Sequence, residues 1–176
     1  MRFLRFLDAL LDRLFVVLGA FAGSQIPEFM QQYTQRLAGH VEELRHLLDG
    51  LRQIALHSNK SLEQYIQKFS ASPDPDFARQ GEFMQTMLQR WEELNQALLN
   101  LVQSPMWERP YVFMRDLNYP IAKATLHAFQ PGLNLTIEGL CYTGIGLLIG
   151  FGLYKALSTL FALGYTRVTS LFKQNA

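Results

Sequence analysis

Glu43 and His46 stand three residues apart in a stretch of helical periodicity, which puts a carboxylate and an imidazole on one helix face. Carboxylate-bridged metal centres in helical bundles use this Glu-x-x-His unit, but they need it on two helices together with two further carboxylates. The partner stretch around Glu92 and Glu93 supplies acids but no histidine. The motif is therefore unpaired, and a Glu/His pair on a helix surface is the favoured reading. Glu42, Asp49, Glu92 and Glu93 read as solvated faces of the same helices. His40, His57 and His127 belong to no ligand-type spacing, and no H-E-x-x-H, P-loop or G-x-S-x-G pattern occurs. The expectation is a protein with no catalytic residues, no cofactor and no metal.

Three other groups carry possible chemistry. Cys141 is the only cysteine, which excludes an intrachain disulfide. It lies in an apolar run, so it reads as a small lipid- or helix-facing residue and not as a reactive thiol. Glu138 opens the same run, where a carboxylate complements the positive end of a helix dipole; proton or ion binding is the competing reading. Lys155 interrupts the run near its end, where a long side chain can carry its ammonium to lipid headgroups.

These groups point to the elements that hold them. Residues 28–135 contain 10 of the 16 basic and 12 of the 15 acidic residues, so a polar middle separates two apolar ends. No basic stripe interleaved with aromatics is present, which argues against a nucleic-acid partner. From Gly139 to Tyr154 there is no charge, and apolar character resumes after Lys155 up to Thr166. A bilayer core needs about 20 helical residues, so residues 137–166 predict a transmembrane helix, followed by a short cytoplasmic tail at 167–176. Gly144, Gly146, Gly150 and Gly152 predict a face for close helix packing, onto the other anchor or onto a partner subunit.

The N-terminal segment, residues 1–27, has a wide apolar helical face with Arg5, Asp8 and Asp12 on the other side, and Arg5 and Asp8 at pairing distance. Three readings are open: a helix that enters the bilayer and ends at Pro27, an interfacial helix, or a signal peptide cut after Ala20-Phe21-Ala22. With Arg2, Arg5 and Arg13 before the first apolar run and Lys155, Arg167 and Lys173 at or after the end of the second, the positive-inside rule puts both termini in the cytoplasm. In a Gram-negative cell the middle would then be periplasmic.

That middle reads as two long helices. Met30, Tyr33, Leu37, Val41, Leu44, Leu48 and Leu51 recur at spacings of three and four, and so do Met84, Met87, Trp91, Leu94, Leu98 and Leu101. A shorter pattern, Leu62, Tyr65, Ile66 and Phe69, lies between them, and the Ser72–Asp76 run with its two prolines ends it. Residues 28–104 are thus expected to form an antiparallel helical hairpin. Residues 105–136, dense in aromatics and proline, read either as a juxtamembrane elbow near the headgroups or as a turn packed against the hairpin. The fold class is all-α: a membrane protein with two terminal spans and a helical-hairpin extramembrane domain.

The string Gly19-Ala20-Phe21-Ala22-Gly23-Ser24-Gln25-Ile26-Pro27-Glu28-Phe29, the Gln-rich Met30–Leu37 stretch after it and the Gly-Leu runs from Gly144 to Gly152 resemble a family of uncharacterised proteobacterial inner-membrane proteins, known only as a domain of unknown function. The resemblance implies an inner-membrane location and lends no active site. The function expected is a non-enzymatic accessory or scaffold subunit. Its partners would be the bilayer and either another protein or further copies of itself, met through the hairpin or the glycine-rich span. An oligomeric transport or pore-forming component of holin type is the alternative.

Overall fold

The apolar residues from Met30 to Leu51 do line one face of a helix, but that helix is far longer than the face. In the computed structural model α1 runs from Arg2 to His57, followed by α2 (Leu62–Ser70), α3 (Pro75–Gln103), α4 (Arg109–Arg115), α5 (Tyr119–His127) and α6 (Ile137–Gln174). The structure describes the backbone of residues 2–132 and 135–174, and side chains at 10–132 and 135–160. No strand occurs among the described residues. The Arg5–Asp8 pair and the flanking charges Arg2, Arg167 and Lys173 lie outside the described side chains.

Helix α1 overturns the expected stop at Pro27, which sits inside it. Proline removes one amide donor, the one that would serve the Gly23 carbonyl, and its ring crowds that carbonyl. The penalty is local, and helical bonds on either side carry the chain through. Both Gly23 and Pro27 are buried, so packing holds the segment in place.

The chain divides into two compact units. One comprises Met30–Phe129, the other Met1–Phe29 with Gln130–Ala176. Within the first, Tyr33, Leu37 and Val41 of α1 cluster with Leu94 and Leu101 of α3, and Leu48 clusters with Met84 and Leu88. Early α1 residues thus meet late α3 residues and the reverse, so the two helices pass antiparallel. Among the residues expected in the seam, Leu37, Val41, Leu48, Met84, Leu94 and Leu101 are buried. Leu44, Leu51, Met87, Trp91 and Leu98 are half-buried against them, and the Trp91 ring touches both clusters. The seam closes within one chain.

Short-range chemistry sets the connections. Ser61 caps α2 through a reciprocal box: its hydroxyl accepts from the Gln64 amide at 3.2 Å, and the Gln64 side chain accepts from the Ser61 amide at 3.1 Å. Asp74 caps α3 by accepting from the Asp76 amide at 2.9 Å, and Pro75 takes the first turn, where a missing donor costs nothing. Helix α3 lies close against α2 at Gly81, where a Cβ would come within 2.6 Å of the Ser70 Cα and hard against the Ser70 amide nitrogen.

The aromatic segment packs as a turn as far as residue 129. Val112 of α4 and Ile121 and Ala122 of α5 join the Tyr33–Leu37 cluster, and Thr125 is buried with its hydroxyl donating to the Ile121 carbonyl at 2.8 Å. The unit built on the seam therefore extends beyond residue 104, because these short helices cover the end of the cluster that α1 and α3 leave open. Asn118 caps α5.

At the corner between α3 and α4, Asp116 accepts from Arg115 at 2.6 and 2.7 Å and from the Asn100 amide at 2.7 Å. The Arg115 guanidinium, and then the Asn100 donor, hold the Asp116 carboxyl down at about 2. A carboxylate depressed in the folded state adds stability above its ordinary value near 4, which is lost as pH falls through 4 toward 2. Asp116→Asn should lose about 0.5–1 kcal/mol at pH 7, the scale of a solvent-exposed ion pair. The gap between denaturant midpoints of the two proteins should narrow below pH 4 and close only near pH 1–2; equal midpoints at pH 7 would refute the assignment.

Candidate functional site, a glycine-lined helix contact

The most specific side-chain arrangement in the molecule involves residues with almost no side chain. In the unit formed by residues 1–29 and 130–176, α1 and α6 touch backbone to backbone. A Cβ on Gly146 would collide with the Gly19 carbonyl oxygen and lie 2.9 Å from the Gly23 Cα. One on Gly150 would collide with the Phe15 carbonyl oxygen and lie 3.2 Å from the Gly19 Cα. The contact is reciprocal: a Cβ on Gly19 would fall 2.8 Å from the Gly150 Cα, and one on Gly23 3.0 Å from the Gly146 Cα. Each helix contributes a small-xxx-small pair, Gly19/Gly23 and Gly146/Gly150, the spacing that puts both glycines on one face.

Gly144 and Gly152 do not belong to this contact, since a Cβ on either would meet nothing within 4 Å. The reason is helical phase. Two residues of offset from Gly146 or Gly150 turn a side chain through about 200°, to the far side of α6. The expected four-glycine face is thus corrected to two residues from α6 and two from α1. Gly19 and Gly23 stand in the sequence as a matching small-xxx-small pair, a signal that the glycines of the C-terminal run alone do not show.

Polar groups frame the contact. Phe15 and Tyr154 pack ring to ring with centroids 6.1 Å apart. At the other end, the Gln25 side chain meets the Gly132 backbone twice, donating to its carbonyl at 3.2 Å and accepting from its amide at 3.3 Å. Gln25 also donates to the Ser24 hydroxyl at 2.9 Å, and the buried Ser24 donates on to the Phe21 carbonyl at 2.7 Å. Thr136 caps α6, its hydroxyl accepting from the Gly139 amide at 3.1 Å. Beside the glycines runs a mostly apolar groove lined by Leu18, Ala22, Ile26, Ile145, Ile149 and Leu153, with Tyr142 also on its wall.

The remaining candidates are not brought together. Glu43 and His46 are both exposed on α1, where the ion pairs found are instead Arg45–Glu42 at 3.2 Å and Arg52–Asp49 at 2.7 Å. Among the described residues, no group of three or more His, Cys, Asp or Glu is placed to hold a metal ion. Cys141 is exposed on α6, and the Lys155 ammonium sits over the Phe151 ring, 5.7 Å from its centroid.

A family described as "Protein of unknown function (DUF2937)" matches residues 7–167, nearly the whole chain and all of the glycine contact. This chain belongs to the DUF2937 family. The likeness to a family of unknown function carried by Gly19–Phe29 and Gly144–Gly152 is thereby borne out. No curated protein and no solved structure matches the chain. In this DUF2937 member, α1 and α6 are each long and apolar enough to cross a membrane, and little of the apolar stretch of either is buried.

Proposed function

We propose that this chain is a non-enzymatic accessory or scaffold subunit of the bacterial inner membrane. In this reading the first part of α1 and most of α6 span the bilayer as a glycine-packed pair. Residues 30–129 stand on the periplasmic side as a docking or assembly element, and both termini are cytoplasmic. The observation that carries the proposal is the distribution of apolar surface around the glycine contact. Leu14, Val17, Leu18 and Phe21 of α1 and Leu140, Leu148, Phe151 and Leu160 of α6 all turn outward and are exposed. A helix pair apolar on its outside is stable in lipid and insoluble in water.

Two further features support this reading. Thr143 and Thr159 donate to the Gly139 and Lys155 carbonyls of their own helix, and Ser24 to Phe21, so these hydroxyls need no water. Cleavage before Gly23 would remove Gly19 and leave Gly146 and Gly150 with half a partner, which favours retention of the N-terminal helix. A pore-forming role would require several copies, because each chain supplies at most two spans and their outer faces are apolar.

Topology reporters active on one side of the membrane test the proposal when fused at the turn near Ser72 and at the C-terminus in intact cells. The expected pattern is an outside signal at Ser72 and an inside signal at the C-terminus. Inside signals at both would remove the two-span reading. Recovery from native membranes always as a lone monomer would remove the accessory role.

A further inference from the structure

Helices α4 and α5 each have two apolar faces, and the core uses only one. On α4 the inward side carries Val112 and Phe113; the other side, with the turn before it, presents Trp107, Tyr111 and Met114 at spacings of four and three. On α5 the inward side carries Ile121, Ala122 and Thr125, while Tyr119, Lys123 and Leu126 repeat the same spacing outward. Trp107, Tyr111, Met114, Tyr119 and Leu126 are 77, 69, 70, 71 and 66% exposed. Few apolar side chains elsewhere in residues 30–129 project so far, and none as densely along the chain.

We infer that this outward face of α4 and α5 lies in the phospholipid headgroup layer of the bilayer that α1 and α6 cross. The inference rests on the reading of those two helices as spans. The chemistry of the face selects this occupant over a protein surface or bulk water. Trp and Tyr rings are amphipathic, with an apolar body and a polar tip, and they partition to the layer where hydrocarbon gives way to headgroups. The exposed cations Arg115 and Lys123 stand among them, matched to lipid phosphates, with Arg115 also holding Asp116. Covalent reach agrees: nine residues lie between His127, which ends α5, and Ile137, which begins α6. Such a tether spans at most about 35 Å. Residues 105–129 would thus combine both readings of the aromatic segment, packed against the seam on one side and immersed in headgroups on the other.

The test is the fluorescence of Trp107 in the full chain reconstituted into phosphatidylglycerol/phosphatidylethanolamine vesicles. The chain has two tryptophans, and the Trp107→Phe variant supplies the Trp91 background to subtract. Trp107 is so exposed that this substitution leaves the core intact. The expected Trp107 signal is blue-shifted, loses most of its intensity to lipids brominated near the glycerol, and resists aqueous acrylamide. Quenching by acrylamide with no effect of brominated lipid would overturn the inference, as water then covers the face. Protection from both quenchers would also overturn it, since protein must then cover Trp107. Resistance of the protein to alkaline extraction from the same vesicles is read in parallel. Extraction would refute the spans themselves; retention with an acrylamide-quenched Trp107 would refute only the docking of this face.

Discussion

Gly146→Leu is expected to destabilise the folded protein by at least the upper part of the ~1–3 kcal/mol range typical of overpacking, whereas Gly144→Leu should change stability by less than about 0.5 kcal/mol. The two positions are two residues apart on one helix and receive the same side chain, so helix propensity and added hydrophobicity are nearly matched. What differs is the other side of the contact. At Gly146 the first added carbon meets the Gly19 carbonyl and the Gly23 Cα, both of them backbone. No rotamer change can clear a backbone atom, so the helices must separate, and the close approach of Gly19 to Gly150 is lost with them. At Gly144 the same carbon enters open space. Without a hydrophobic driving force inside lipid, helix association depends on such close packing, so separation removes most of what holds the pair. Unfolding midpoints in mild detergent, with Gly150→Leu and Gly152→Leu as a second matched pair, measure the difference. Equal effects within either pair would mean that α1 and α6 do not meet at these glycines.

The contrast between neighbouring glycines also marks where sequence reasoning stopped. The a/d seams of α1 and α3, the break at Ser72–Asp76, the short helix between them and the long apolar helix α6 were legible, because each depends on spacing within a single element. The glycine contact was legible only as a property of one helix. Its phase against α1 depends on how two segments more than a hundred residues apart meet, and no local spacing encodes that. Pro27 misled for the opposite reason. A local breaker rule is a statement about propensity, and a long helix with buried residues on both sides of the proline outweighs it. In residues 105–129, three prolines and aromatics pointing both inward and outward blurred the apolar periodicity, so the helices that complete the core could not be separated from a loop. Glu43 and His46, whose spacing alone suggested chemistry, are both exposed on α1.

Tyr33 offers the largest effect within residues 30–129. Its ring is 1% exposed, stands edge-on to Phe113 with centroids 5.1 Å apart, and its hydroxyl accepts from the Asn118 amide at 2.9 Å. That one side chain joins α1 to the start of α5 and to α4. Tyr33→Ala opens a cavity of aromatic size and orphans the amide, so a loss of about 3–5 kcal/mol is expected. Tyr33→Phe keeps the packing and removes only the acceptor, leaving a loss of about 1–3 kcal/mol, that of an unsatisfied donor. Titration separates the two contributions. Burial pushes the phenol above its ordinary value of 10, and the Asp116 charge adds to this, while the Asn118 amide pulls the other way. An acid raised on folding contributes stability that is complete below pH 10 and is lost as pH climbs past 10, because the unfolded chain ionises first. Wild-type protein should therefore lose stability between pH 9 and 11 more steeply than Tyr33→Phe when denaturant midpoints are compared. Parallel curves would place the Tyr33 hydroxyl in contact with water, and with it the end of the seam that α4 and α5 are built to close.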